Sequence, residues 1–430
     1  MPVHVIVGAQ WGDEGKGRIA DWMAARADVV ARYAGGDNAG HTVRVGDETF
    51  KLHLVPSGAI HPGVRCVLGA GMVINPVRLV EELRGLAERG IDISPDRITL
   101  SDRAHIITPV HLALDGARET RRGKQAIGTT RRGIGPAYTD KAAREGLRAG
   151  QMRRPTEFAR QVKAHVEAGN RVLELLYGAP PLDADSVAAE WGAAGEFLAS
   201  YLGDVSLLVS RVLDGGKTVL CEGAQGTLLD LDHGGYPYVT SSTTTVGGAI
   251  SGLGIGPRHV QRVIGVAKAY TTRVGSGPMP TELHDALGDQ LRGTGANPWD
   301  EFGTTTGRPR RCGWLDTVVL RYAARINGLT ELMLTKLDVL SGFLEVRIAD
   351  GYTLCGKPIR EWPSEQDDLA ACQPVYEALP GWQEDIMQTR QFGDLPPAAQ
   401  RYVERIEAIT GLPITLITVG PAREQTIVRT

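Results

Sequence analysis

Val3-His4-Val5-Ile6-Val7-Gly8-Ala9-Gln10-Trp11-Gly12-Asp13-Glu14-Gly15-Lys16-Gly17 is the stretch that decides the fold. A β-prone run ends in a glycine, and a glycine-studded turn leads into Arg18-Ile19-Ala20-Asp21-Trp22-Met23, which reads as helix. A strand, a flexible loop and a helix in that order can wrap backbone N–H groups around an anion, and Lys16 can reach a terminal phosphoryl group. The spacing departs from G-x-x-x-x-G-K-[ST]: the first glycine would fall at Gln10, and Gly17 stands where a hydroxyl residue usually holds magnesium. A glycine-rich turn with a solvated lysine would share much of this pattern, and Asp13 alone would pass for a turn residue or helix cap.

Working outward, apolar runs of strand length recur at residues 28–33, 66–69, 97–100, 218–221, 263–267, 332–334 and 414–418. Several are continuous rather than alternating, as in strands buried on both faces. Helical patterns lie between them, for example 76–89, where Asn75 is placed as N-cap and Pro76 at the first helical position. The alternation predicts an α/β fold on a mostly parallel central sheet. No linker interrupts it, so one large domain over residues 1–430 is expected. Two polar, glycine-punctuated stretches, 119–150 and 292–313, read as long functional loops.

Composition narrows the function. With 430 residues, 42% hydrophobic, 23% charged and 54 glycines, the chain is an ordinary soluble globular one. A net charge of −3 supplies no global basic field, so neither nucleic acid nor an anionic membrane is an expected partner. The five cysteines are scattered and never form C-x-x-C, against a disulfide framework or zinc site and in favour of a reducing cytoplasm. The start lacks a basic n-region and an apolar h-region, and no run approaches the ~20 apolar residues that span a bilayer. A cytoplasmic protein, neither exported nor membrane-bound, is expected.

Three further clusters carry chemistry. Gly35-Gly36-Asp37-Asn38-Ala39-Gly40-His41-Thr42 follows the second strand, which in a doubly wound sheet brings it to the same carboxyl edge as Asp13. Thr335-Lys336-Leu337-Asp338 ends another strand; its carboxylate can accept from guanine N1–H and the 2-amino group, a donor pair adenine lacks. It is similar to the N-K-x-D motif of GTP-binding proteins, with Thr in place of Asn. Phe302-Gly303-Thr304-Thr305-Thr306-Gly307-Arg308-Pro309-Arg310-Arg311 combines Arg forks, hydroxyls and glycines, a set suited to a small dicarboxylate. Gly69-Ala70-Gly71 is half a dinucleotide fingerprint whose third glycine position is Ile74, so NAD is discounted.

In order along the chain, these segments resemble the adenylosuccinate synthetase family. Besides residues 10–17, 38–42, 305–308 and 335–338, the resemblance rests on Gly128-Thr129-Thr130-Arg131-Arg132-Gly133-Ile134-Gly135-Pro136, Glu222-Gly223-Ala224-Gln225-Gly226 and Tyr238-Val239-Thr240-Ser241-Ser242. It implies a P-loop-related α/β domain, a homodimer, and a ligase that joins L-aspartate to C6 of IMP at the expense of GTP through a 6-phosphoryl-IMP intermediate. It also implies one Mg²⁺ per subunit, held by Asp13 and the Gly40 carbonyl. Asp13 would take the N1 proton of IMP and His41 would stabilise the phosphoryl group in flight, with Lys16 and Gln225 completing the catalytic set.

The same resemblance assigns the ligands. GTP would be held through its phosphates by Gly12, Asp13, Glu14, Gly15, Lys16, Gly17, Gly40, His41 and Thr42, and through its base by Lys336, Asp338, Thr418 and Gly420. IMP would meet Asp13, Asn38, Ala39, Gly40, His41, Thr130, Gln225, Thr240 and Arg308, with Arg144 reaching across a dimer interface to its phosphate. Aspartate would lie under Thr304, Thr305, Thr306, Gly307, Arg308 and Arg310. Asp37, Arg131 and Thr418 depart from the family pattern, the last keeping the hydroxyl of an expected serine. A GTP-regulated switch would have no use for the cluster at 35–42 or the Arg-rich loop, and IMP- and aspartate-dependent GTP turnover separates it from an enzyme. A non-catalytic nucleotide-binding scaffold would bind IMP or GTP without forming product.

Overall fold

Among the described residues ten strands pair into one central sheet, and the N-terminal strand lies inside it. In chain order they are β1 (Val3–Gly8), β2 (Val29–Arg32), β3 (Arg65–Leu68), β4 (Ile98–Ser101), β5 (Leu202–Gly203), β6 (Val219–Glu222), β7 (Val260–Lys268), β8 (Glu331–Thr335), β9 (Ile414–Thr418) and β10 (Thr426–Val428). Across the sheet they run β10-β9-β8-β7-β1-β6-β2-β3-β4-β5, and every neighbouring pair is parallel except β9 with β10. The computed structural model describes residues 2–45, 48–297, 299–303 and 307–429.

The expected strands are all present, and the continuous ones owe their composition to burial on two faces. Every residue of β2, β6 and β8 is buried. Alternate residues of β1 divide between the faces: Val5 and Val7 join a core with Val205, Val209 and Leu253, whereas Ile6 packs with Ile19, Ala20 and Met23 of the first helix, α1 (Lys16–Ala24). Helix Pro76–Glu88 starts as read, with the Asn75 side chain accepting from Arg78 N–H at 3.2 Å. The glycines of 69–71 serve packing: a Cβ on Gly71 would stand 2.1 Å from the Tyr33 carbonyl, and Ala70 N–H donates to Gly252 O at 2.7 Å.

Three features were not legible. Edge strands β5 and β10 are too short for a periodic signal. A second sheet of residues 315–316, 345–354, 357–359 and 373–380 covers one flank. The stretch 119–150 is not one loop: helix Pro109–Arg122 runs into it, and a helix over Ile134–Ala143 follows. Ile134 and Ala137, three apart, pack on Val73 and Ile107, and this contact outweighs the loop-like composition. The stretch 292–313 remains largely irregular among the described residues until Arg311–Gly313. Among the described residues, no helix is long and apolar enough to cross a membrane.

Because chain order reverses about β1, the carboxyl ends of β1, β2, β6, β7 and β8 open onto one crevice. The loops read as functional converge there.

Candidate active site

The loop after β1 is organised by its own carboxylate. Glu14 is fully buried and accepts from the N–H of Gln10 at 3.1 Å, the N–H of Gly12 at 2.9 Å and Lys16 Nζ at 2.5 Å. A Cβ on Gly8 or Gly226 would stand 2.6 Å from that carboxylate, so both positions need glycine to make room for it. The Glu14 side chain therefore lies beneath the loop, while Gly12, Asp13, Gly15, Lys16 and Gly17 line a cavity of about 800 Å³ above it.

Asp13 adopts φ +59°, a left-handed conformation rare outside glycine that costs of order 1–3 kcal/mol. The turn leaves its side chain 41% exposed at the cavity, with Oδ2 accepting from Arg310 Nε at 2.7 Å. Burial pushes the Asp13 pKa up, but the charges of Arg310, Lys268 and Lys16 prevail and hold it below the ordinary carboxylate value. It is an ionised acceptor with Arg310 across it.

His41 opens the strand His41–Val45, and its Nδ1 makes a short hydrogen bond to Glu222 Oε1 at the end of β6. Glu222 is itself buried and accepts from Ser57 N–H at 2.8 Å and Ser57 Oγ at 3.1 Å. Burial raises the Glu222 pKa, yet His41 and Arg32 bring it below the usual value. An ionised carboxylate can only accept, so Nδ1 carries a proton toward Glu222 and Nε2 is the ring nitrogen left to the cavity. Asn38, Ala39, Gly40 and Thr42 line the cavity beside His41. Glu222 belongs to a quoted motif but was not singled out; a carboxylate at the end of a buried strand was the available signal.

Another part of the wall carries Thr130, Gln225, Thr240 and Arg308. Residues 127–133 are held by two acids one helical turn apart on helix Pro109–Arg122. Asp115 accepts from Thr129 Oγ1 at 2.9 Å and Gly133 N–H at 3.0 Å; Glu119 accepts from Gly128 N–H at 2.8 Å and Thr129 N–H at 3.2 Å. Neither acid was picked out from sequence, although their i, i+4 spacing places them on one face. Gln225 has φ +56°, and its buried Oε1 meets no donor among the described residues. Arg308 donates to Gly128 O at 3.0 Å, closing that wall against the Arg-rich loop. Of the departures, Arg131 takes φ +56° and Asp37 pairs with Arg132 at 3.7 Å.

At the far end of the cavity stand Lys336, Asp338, Thr418 and Gly420. Thr335 Oγ1 donates to Glu14 O at 2.6 Å and so ties β8 to the first loop, a use for the Thr found in place of Asn. Lys336 N–H donates to Thr418 Oγ1 at 2.9 Å, which is why the hydroxyl survives the serine-to-threonine departure. Arg18 of α1 clamps the following loop, donating to Gly420 O, to Ala422 O at 2.7 Å, to Gln425 O at 2.8 Å and to Thr426 Oγ1 at 2.9 Å. Among the described residues Asp338 Oδ1 is buried without a partner, and burial raises its pKa despite Lys336 and Arg18 nearby.

Not every expected residue is seen at the cavity, Glu14 beneath the loop being one that is not. Thr304, Thr305 and Thr306 lie outside the described residues. Gly307 does not line the cavity, although Gly303, Arg308 and Arg310 do. Arg144 ends helix Ile134–Ala143 with φ +67°, exposed and away from the cavity of its own chain.

A reversed-order sheet, a glycine-rich loop at its central strand and a large cavity ringed by charged side chains define a P-loop-related α/β enzyme. The family model for adenylosuccinate synthetase matches residues 5–427. The chain is 55% identical over 428 residues to the adenylosuccinate synthetase of Moorella thermoacetica and 52% identical over 428 residues to that of Desulforamulus reducens, covering 100% of this chain and 99% of each relative. Its fold matches a fully ligated adenylosuccinate synthetase from Plasmodium falciparum with a TM-score of 0.94 at 41% identity, over 100% of both chains. The chain belongs to the adenylosuccinate synthetase family. It is a ligase of AMP synthesis, of the family that joins IMP and aspartate at the expense of GTP.

Proposed function

We propose that this chain, as one α/β domain over residues 1–430, runs the ligation in two steps within the single cavity. In the first, IMP O6 attacks the γ-phosphorus of GTP while Asp13 removes the N1 proton, giving 6-phosphoryl-IMP and GDP. In the second, the aspartate amine attacks C6 and the O6 phosphate leaves. The observation that carries this reading is that an ionised Asp13, a His41 held by Glu222 and an unpartnered Asp338 oxygen all border one continuous cavity.

Each side chain has a task that its surroundings support. His41 Nε2 and Lys16 Nζ face the charge that develops on the transferring phosphoryl group. Asp13 serves as base only when Arg310 leaves it for an incoming carboxylate, and Arg308 and Arg310 supply forks for aspartate. Thr130, Thr240, Gln225, Asn38 and Ala39 orient IMP, and Asp338 with Lys336 receives guanine. Asp13 and the Gly40 carbonyl offer hard oxygen donors at the same cavity, and the depressed Asp13 pKa keeps the carboxylate ionised, so the set fits Mg²⁺. Bound there, Mg²⁺ would neutralise phosphate charge.

The test is turnover of GTP with IMP, aspartate and Mg²⁺, followed by ultraviolet absorbance of the product. Product formation that needs all three substrates is expected; GTP hydrolysis indifferent to IMP and aspartate would overturn the reading. IMP labelled with heavy oxygen at O6 should release labelled inorganic phosphate, and unlabelled phosphate would remove the 6-phosphoryl intermediate. We place the chain in a homodimer in the cytoplasm, with Arg144 completing the partner's phosphate site. Mixing inactive Arg144→Leu with inactive Asp13→Asn should then restore part of the activity through mixed dimers. No recovery despite demonstrated subunit exchange would return Arg144 to its own subunit.

A further inference from the structure

Glu301 took no part in the sequence reading, yet its carboxylate joins three cations of the site. It is 1% exposed, at the stem of the Arg-rich loop, where Arg310 N–H donates to Glu301 O at 2.8 Å and Phe302 bridges Pro309. Oε1 accepts from Lys336 Nζ and Tyr270 Oη, each at 2.5 Å. Oε2 accepts from Lys268 Nζ at 2.7 Å and Arg310 Nη1 at 2.8 Å. Four donors fill the lone-pair sites of one carboxylate.

The cations come from separate parts of the site. Lys336 belongs to the segment assigned to guanine, Arg310 spans to Asp13 and stands in the loop assigned to aspartate, and Lys268 is the fully buried end of β7. Lys268 also donates to Thr272 Oγ1 at 2.7 Å. Without the carboxylate these cations would repel one another in a region of low polarity, where Asp13 is the other anion acting on both Lys268 and Arg310.

We propose that Glu301 is a positioning residue that fixes Lys336 and Arg310 through one carboxylate, so that the purine-base site and the amino-acid carboxylate site are set together. This rests on the ligand assignment proposed above. Its signature is a paired defect: removing the charge frees both cations at once, while none of the four donors to Glu301 belongs to the IMP-facing Thr130, Gln225 or Thr240.

The experiment measures KM for GTP, aspartate and IMP, with kcat and Tm, in wild type, Glu301→Gln and Glu301→Asp. Glu301→Gln should raise KM for both GTP and aspartate by about tenfold or more, the effect of loosening charge-assisted contacts, and KM for IMP by less than about threefold. Glu301→Asp should recover part of both. Because Glu301→Gln strands a buried ammonium, the double variant Glu301→Gln/Lys268→Met removes that cation too. It should regain Tm while both KM values stay high. A KM defect that vanishes as Tm recovers, that touches only one of the two substrates, or that extends equally to IMP overturns the proposal. Failure of the wild type to need IMP and aspartate would instead overturn the ligand assignment.

Discussion

The two ends of the cavity are prepared in opposite ways. At the Asp13 end the charged groups already have partners: Asp13 has Arg310, His41 has Glu222, and Lys16 has Glu14. At the Asp338 end a buried carboxylate oxygen has none. On the proposed roles, His41 and Lys16 gain from pre-arranged partners, since those pairs need no reorganisation during reaction, while Arg310 holds Asp13 ionised until a ligand takes that cation. A group that must discriminate between bases gains from being left unsatisfied. Its desolvation is already incurred, so the right donor is rewarded and the wrong one is not.

The comparison breaks most readily at Asp13. Asp13→Asn keeps the size of the side chain but removes the charge that would accept the N1 proton and face Mg²⁺. It should lower kcat by ~10²-fold or more in steady-state assays. Near wild-type turnover would show that the Arg310 pair is a structural tie and nothing else.

A smaller loss should come from the partner of His41. Glu222→Gln keeps the shape, but its amide can present a donor to Nδ1 and so permits the other tautomer of the ring. Carboxylates that orient a functional imidazole typically contribute about 10–100-fold, so kcat should fall by that range while KM for IMP and GTP changes little. If KM moves and kcat does not, His41 orders ligands rather than stabilising the transferring group.

How far the sequence revealed these two ends follows from the same distinction. Residues that line the cavity, such as Asp13, His41, Lys336 and Asp338, sit in glycine-rich or strand-end motifs and were found from residue type and spacing. Residues that hold them were not. Glu222, Glu301, Asp115 and Glu119 act on partners far away in the chain, and only folding brings Glu222 to His41 or Glu301 to Lys268, Lys336 and Arg310. The eight principal strands were legible because burial on two faces forces long apolar runs. Helix Ile134–Ala143 was hidden because its apolar face is narrow and its surroundings are rich in glycine and arginine.

The last prediction sharpens the comparison at the unsatisfied end and needs no family argument. An ionised Asp338 offers acceptors alone, matched to guanine N1–H and the 2-amino group. Asp338→Asn places an amide N–H₂ where it must face the guanine 2-amino group donor to donor, whereas the same amide pairs with the 2-oxo group of xanthine. A mismatched buried polar group costs ~1–3 kcal/mol, so kcat/KM for GTP should fall by roughly tenfold or more and that for XTP should rise. ATP should remain poor with both proteins. The raised pKa adds a sign that can be checked. Below that pKa Asp338 gains an O–H donor and loses its match to guanine, so kcat/KM for GTP should decline on the acid side in the wild type. Asn does not titrate, so XTP efficiency in the variant should lack this limb. An unchanged GTP-to-XTP ratio would mean that Asp338 does not read the base and that its unpartnered oxygen is only the accident of a strand end.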